Sequence, residues 1–84
     1  MTKVTIYSID YCGPCKMAKD LLHSKGVEVD DINLTDDIDA IKELAAKTGQ
    51  KGVPQIFIGD EFIGGFTELR TLAMSGKLEA LLDE

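Results

Sequence analysis

Two cysteines stand three positions apart in the run Cys12-Gly13-Pro14-Cys15, and the chain has no others. The reactive form of a cysteine is the thiolate, and a free thiol is mostly protonated at neutral pH. A helix N-terminus presents unpaired N–H groups and roughly half a positive charge, so a sulfur placed there is stabilised as an anion. The first cysteine of such a pair lies at the helix mouth, towards solvent. The second lies about one turn further in. Cys12 is therefore expected to be the exposed nucleophile and Cys15 the shielded resolving thiol, with Tyr11, Gly13 and Pro14 shaping the turn that carries them. Cys12 would attack a substrate disulfide. Cys15 would then displace the reduced product and leave a Cys12–Cys15 bridge.

Rival uses of the pair fit less well. A bridge over so short a loop restricts the unfolded chain little, and a secreted disulfide scaffold spreads more cysteines along its sequence. A closed zinc site needs four ligands, and the only further soft ligand is His23, two turns down the helix. No metal is expected. A c-type haem attachment needs histidine after the second cysteine, where Lys16 stands. An inert buried pair would leave Gly-Pro at a strand-to-helix junction unexplained.

The elements that must position the sulfurs follow from pattern and punctuation. Residues 4–9, rich in β-branched and aromatic types with few polar positions, read as a strand buried on both faces. Asp10 to Pro14 is a turn, with Pro14 where a first helical turn tolerates it. Met17, Ala18, Leu21 and Leu22 then recur at helical spacing, and Gly26 ends that helix as a left-handed cap. Residues 27–32 alternate as a second strand, which the crossover makes parallel to the first. Thr35 or Asp36 is expected to cap a second helix carrying Ile38, Ile41, Leu44 and Ala45, closed by Gly49. Residues 55–58 and 61–63, joined by Gly59-Asp60, read as a hairpin. Thr67 is expected to cap a third helix with Leu69, Leu72 and Ala73 inside, stopped by Gly76. Leu78, Leu81 and Leu82 belong to a short last helix. The order is βαβ, α, ββ, α, α, an α/β chain with a mixed sheet covered by helices.

Two further segments carry candidate chemistry. Gly52-Val53-Pro54-Gln55 precedes the third strand, and an X-Pro bond at a strand entrance is a candidate for the cis form. A cis bond there would turn the Val53 main chain out of the sheet, free to bind an extended peptide backbone beside Cys12. In Gly64-Gly65-Phe66-Thr67-Glu68 the glycines permit close backbone approach, and the N–H groups opening the next helix can hold a carboxylate. Asp10 adds negative charge two residues before Cys12, which raises a thiol's pKa where the two are close, while Lys16 and Lys19 act the other way.

Length and charge bound the rest. At 84 residues the chain is expected to be a single domain, 1–84, with a core too thin for a bulky, tightly bound cofactor. Its 44% hydrophobic content excludes wholesale disorder. Nine basic against fifteen acidic residues give a net charge of -6, which repels nucleic acid. No apolar run approaches the ~20 residues that span a bilayer, so no membrane partner is expected. The start, Met1 to Ile9, lacks the features of a signal peptide, and a cytoplasmic monomer is expected.

Together these residues resemble the glutaredoxin family of the thioredoxin superfamily. The resemblance rests on Tyr7-Ser8, Cys12-Gly13-Pro14-Cys15, Val53-Pro54-Gln55-Ile56-Phe57-Ile58-Gly59 and Ile63-Gly64-Gly65, in the family's order and spacing over nearly the whole chain. It implies a thioredoxin fold, a four-stranded mixed sheet with the first two strands parallel and the last two a hairpin, flanked by helices. It implies a dithiol–disulfide oxidoreductase that reduces protein disulfides or glutathione mixed disulfides, with glutathione as co-substrate. Val53 and Pro54, the family's cis-proline, and Gly65, Phe66, Thr67 and Glu68 are the implied glutathione-binding residues. The Gly13-Pro14 spacer is similar to that of thioredoxin. Ile9 stands where the family often has a glutathione-pairing lysine. Both make thioredoxin reductase a second implied electron source beside glutathione. Two alternatives from other classes are a glutathione-dependent iron–sulfur cluster carrier and a peptide-binding module without redox turnover.

Overall fold

The computed structural model describes residues 3–82. Four strands, β1 (Val4–Ser8), β2 (Val29–Asn33), β3 (Gln55–Ile58) and β4 (Glu61–Gly64), form one sheet in the order β2-β1-β3-β4. β1 runs parallel to β2, from Val4↔Val29 to Ser8↔Asn33, and antiparallel to β3, from Val4↔Ile58 to Tyr7↔Gln55. β3 and β4 form the hairpin, with a register shift between Ile56 and Phe57. Four helices complete the fold: α1 (Gly13–Ser24), α2 (Ile38–Thr48), α3 (Phe66–Ser75) and α4 (Lys77–Leu82). Among the described residues no helix is long and apolar enough to cross a membrane.

The core lies on one face of the sheet. Val4 and Ile6 of β1 and Ile56 and Ile58 of β3 pack with Ala18 and Leu22 of α1, Leu69 of α3 and Leu78 of α4. Each Val, Ile or Leu among them contributes about 1.5–3 kcal/mol by leaving water, so this cluster is what fixes α1 against the sheet. The other face carries a half-buried aromatic row. Tyr7 meets Phe57 edge-on at 5.8 Å, and Phe57 meets Phe62 at 5.1 Å.

Several local expectations are corrected. β1 ends at Ser8 and alternates, with Val4, Ile6 and Ser8 buried while Thr5 and Tyr7 are half-buried, so it is not enclosed on both faces. A polar residue can take the inward position because the Ser8 hydroxyl donates to Asp31 Oδ1 at 2.6 Å. β2 is Val29–Asn33 rather than 27–32. The cap of α2 is neither Thr35 nor Asp36 but Asp37, whose carboxylate accepts from the Ala40 N–H at 3.1 Å. Asp36 adopts φ 66 instead and turns the chain into that cap. The cap of α3 is Gly65 rather than Thr67, because Glu68 Oε1 reaches back to the Gly65 N–H at 2.9 Å. Met17 and Ile38, expected on inner faces, are 52% and 64% exposed. Met17 is displaced because the inward stripe of α1 is Cys15, Ala18 and Leu22, at spacings of three and four.

Candidate active site

α1 begins where β1 stops, and Cys12 is its N-cap, with extended backbone at φ -102, ψ 109. A capping side chain accepts from the second or third N–H of its helix. Pro14, in the second position, has no N–H to give. The bond therefore comes from Cys15, whose N–H points at Cys12 Sγ at 3.2 Å. The Cys12 carbonyl accepts the Lys16 N–H at 3.1 Å and starts the helical ladder. Cys12 thus occupies a position usually filled by an oxygen acceptor, at the positive end of the helix dipole. It is half-buried, whereas Cys15 is 1% exposed. The two are joined as a disulfide with Cα atoms 5.2 Å apart, inside the ordinary span of such bridges.

The turn before the cap is stitched to the loop beyond β2. The Asp10 N–H donates to Thr35 Oγ1 at 2.6 Å, and Asn33 Nδ2 donates to Asp10 Oδ1 at 2.9 Å. Tyr11, between Asp10 and Cys12, has φ 58 and a fully exposed ring. Gly13 and Pro14 are exposed beside the sulfur. A groove of about 540 Å³ opens at Cys12, lined by Asp10, Tyr11, Gly13, Lys16, Lys19 and Asn33 among others. Its two lysines are paired with carboxylates, Lys16 with Asp20 and Lys19 with Asp31, each at 2.9 Å. Burial raises the Asp31 pKa, but the Ser8 hydroxyl and the Lys19 ammonium outweigh it, so the carboxyl ends below its ordinary range. Asn33 was not singled out in the sequence, and Thr35 was noted only as a helix cap, not as a partner of Asp10. Their only signal was a polar run beyond a strand, which resembles any loop.

The Val53–Pro54 bond is cis. Pairing of Tyr7 with Gln55 sets Pro54 at the end of the sheet where β1 hands over to Cys12. Pro54 is buried and Val53 half-buried, and the Val53 main chain makes none of the turn and loop hydrogen bonds of the described residues. Gly65 touches this segment, since a Cβ on it would lie 3.4 Å from the Pro54 carbonyl oxygen and 3.4 Å from Gln50 Nε2. Phe66 packs against the core, Thr67 is exposed, and the Glu68 carboxylate is turned back onto Gly65. The structure therefore gathers the cysteine pair, the Val53–Pro54 segment and the start of α3 at one end of the sheet.

Other features lie apart. An apolar groove of about 620 Å³ between β4, α3 and α4 contains neither cysteine. Among the described residues no group of three or more His, Cys, Asp or Glu side chains is gathered to hold a metal ion. His23 is exposed far down α1, in its last turn.

The glutaredoxin family model matches residues 4–63, which include both cysteines and the Val53–Pro54 segment. The chain is 44% identical over 84 residues to a glutaredoxin of Neisseria meningitidis serogroup A, covering 99% of each. It is 38% identical over 82 residues to glutaredoxin 3 of Escherichia coli K12, covering 98% of this chain and 99% of the relative. Among solved structures, a buckwheat glutaredoxin–glutathione complex superimposes with a TM-score of 0.89 at 35% identity, covering 98% of this chain and 77% of that one. With its thioredoxin-fold sheet and its bridged Cys12–Cys15 pair at a helix start, the chain belongs to the glutaredoxin family and is a thiol–disulfide oxidoreductase.

Proposed function

We propose that this protein reduces disulfides, glutathione mixed disulfides among them, with Cys12 as the nucleophile and Cys15 as the resolving thiol. The observation that carries the assignment is the asymmetry of the pair. Cys12 Sγ is the partly exposed helix cap that accepts the Cys15 N–H at 3.2 Å. Cys15 is 1% exposed beneath it. In the reduced protein the Cys12 thiolate attacks the glutathione sulfur of a mixed disulfide. The substrate S–S bond breaks, and the released thiolate takes up a proton. Cys15 then attacks Cys12 Sγ, glutathione leaves as the thiol, and the protein is left with the bridge. The substrate gains two electrons and the cysteine pair loses two. Two further glutathiones return the pair to the dithiol and leave as glutathione disulfide.

The Val53–Pro54 segment, whose Val53 main chain makes none of the turn and loop hydrogen bonds, and the start of α3 at Phe66 and the exposed Thr67 are the proposed seats of the peptide-like half of the substrate. Backbone groups suit that task, since glutathione offers amide and carboxylate groups of its own. The buckwheat complex with glutathione supports the substrate class. Thioredoxin reductase is a second proposed electron source, favoured by the Gly13-Pro14 spacer.

Two substitutions test the roles. Cys12→Ser is expected to abolish reduction of every disulfide substrate. Cys15→Ser is expected to accumulate a covalent Cys12 mixed disulfide, visible by mass spectrometry. Loss of all activity in Cys15→Ser with none in Cys12→Ser would reverse the assignment. Supplying the oxidised protein separately with glutathione and with thioredoxin reductase plus NADPH ranks the two donors by rate.

A further inference from the structure

Gln55 is a polar side chain with 0% exposure, directly after Pro54 at the first position of β3. Its Nε2 donates to the Gln50 carbonyl at 2.7 Å and to the Gly52 carbonyl at 3.0 Å. Carbonyl oxygens only accept, so both amide hydrogens are used and the orientation of the carboxamide is fixed. Its Oε1 faces the Thr48 hydroxyl at 2.8 Å. That hydroxyl, on the last residue of α2, also accepts the Gln50 N–H at 3.2 Å. One buried amide and one hydroxyl thus tie the end of α2, the start of β3 and the loop between them into a single network.

The loop has little else to hold it. Gly49 is tied back to α2 by its N–H on the Ala45 carbonyl at 2.8 Å, but Gly52 sits at φ 80, where glycine is at ease but equally free to leave. Gly52 has no atom within 4 Å of an added Cβ, so packing does not fix it. The network shapes the three residues that lead into Val53, and the cost of leaving the buried Gln55 amide without its partners keeps them in place.

Given the substrate-binding role proposed above for Val53 and Pro54, on which this rests, we propose that Gln55 and Thr48 are positioning residues. They act on catalysis by holding the Val53 main chain at the end of the sheet where β1 leads to Cys12, without touching substrate themselves. Their loss acts on substrate binding and leaves the Cys12 sulfur unaffected, because the thiolate is stabilised by the start of α1, which shares none of these hydrogen bonds.

Three variants read this out: Thr48→Val, which keeps the shape and removes the hydroxyl; Thr48→Ser, which restores the hydroxyl; and Gln55→Met, which keeps the length and removes the amide. The KM for a glutathionylated peptide is expected to rise about tenfold in Thr48→Val and more in Gln55→Met, with kcat changed by less than about twofold. Thr48→Ser is expected to match the parent. Alkylation of Cys12 by iodoacetamide in the reduced protein is expected to be unchanged throughout, and the backbone ¹⁵N order parameters of residues 50–53 to fall in Thr48→Val. If Gln55→Met fails to fold, the Thr48 pair decides alone. An unchanged KM in Thr48→Val overturns the proposal, as does an alkylation rate that drops along with it. Order parameters that stay at parent values in Thr48→Val overturn it whatever the substrate. Failure of the parent itself to reduce the glutathionylated peptide would instead overturn the substrate class, and the order parameters would still judge the network.

Discussion

Gly64 and Gly13 show how differently two glycines of one site are used. Gly64 has φ 120, and a Cβ there would lie 2.6 Å from Glu68 Oε1 and 2.9 Å from its Cγ. An alanine would be strained in its backbone and would push away the carboxylate that closes the start of α3. Gly64→Ala is expected to destabilise the protein by about 2 kcal/mol, read as a lower urea midpoint. Gly13 has open space around an added Cβ and is the first residue of α1. Gly13→Ala is expected to leave the midpoint unchanged or raise it by up to about 1 kcal/mol of stability, since alanine favours the helix and restricts the unfolded chain. Both glycines are plain in the sequence, and only the structure separates the one that has no room for a side chain from the one that merely neighbours the sulfur. Gln55 is the same case in reverse. Its position at the head of an apolar strand gave no sign that its amide would be enclosed by the loop it follows.

The elements were legible where chain-local chemistry decides them. Cysteine spacing, Pro14 in the first turn and Gly26, Gly49 and Gly76 at the helix ends locate α1, α2 and α3, and all three glycines adopt left-handed φ. Legibility fails where several adjacent residues could do one job. Thr35, Asp36 and Asp37 are all competent caps, and the choice falls to Asp37 because Asp36 takes the turn with φ 66. Asp37→Ala is accordingly expected to cost about 1 kcal/mol in denaturant unfolding, and Thr35→Ala to leave the start of α2 intact. Legibility fails again where a distant partner licenses a local exception. Ser8 is buried in β1 only because Asp31, 23 residues on, meets its hydroxyl. For the same reason the cis state of Val53–Pro54 was expected from its neighbours in the site rather than from the bond itself.

Across the whole molecule, two ion pairs fasten one helix to its surroundings. α1 presses Ala18 and Leu22 into the core and is tied to its surroundings at two levels. Lys19 pairs with Asp31 of β2 at 2.9 Å, and Lys25 pairs with Glu79 of α4 at 2.6 Å. The first tie lies one turn beyond Cys15 and the second just past the helix end, so both orient the axis that aims its N-terminus at the Cys12 sulfur. Both carboxyls titrate below their ordinary range. For Asp31 burial works against this, and the Ser8 and Lys19 contacts overcome it. For Glu79 the Lys25 hydrogen bond leads. A carboxyl whose folded pKa lies below its unfolded value favours the folded state in full above the unfolded pKa, about 3.9 for aspartate. That contribution is lost as pH falls from there through the folded value. Stability measured by urea unfolding is therefore expected to be flat from pH 7 to about pH 5 as far as Asp31 is concerned, then to fall with acid. Asp31→Asn is expected to be less stable than the parent at pH 7 and to show a shallower loss below about pH 4. Parallel curves for parent and variant would mean that the Lys19–Asp31–Ser8 contacts do not hold α1 to the sheet. The helix would then owe its aim to the apolar stripe of Cys15, Ala18 and Leu22 and to the Lys25–Glu79 pair.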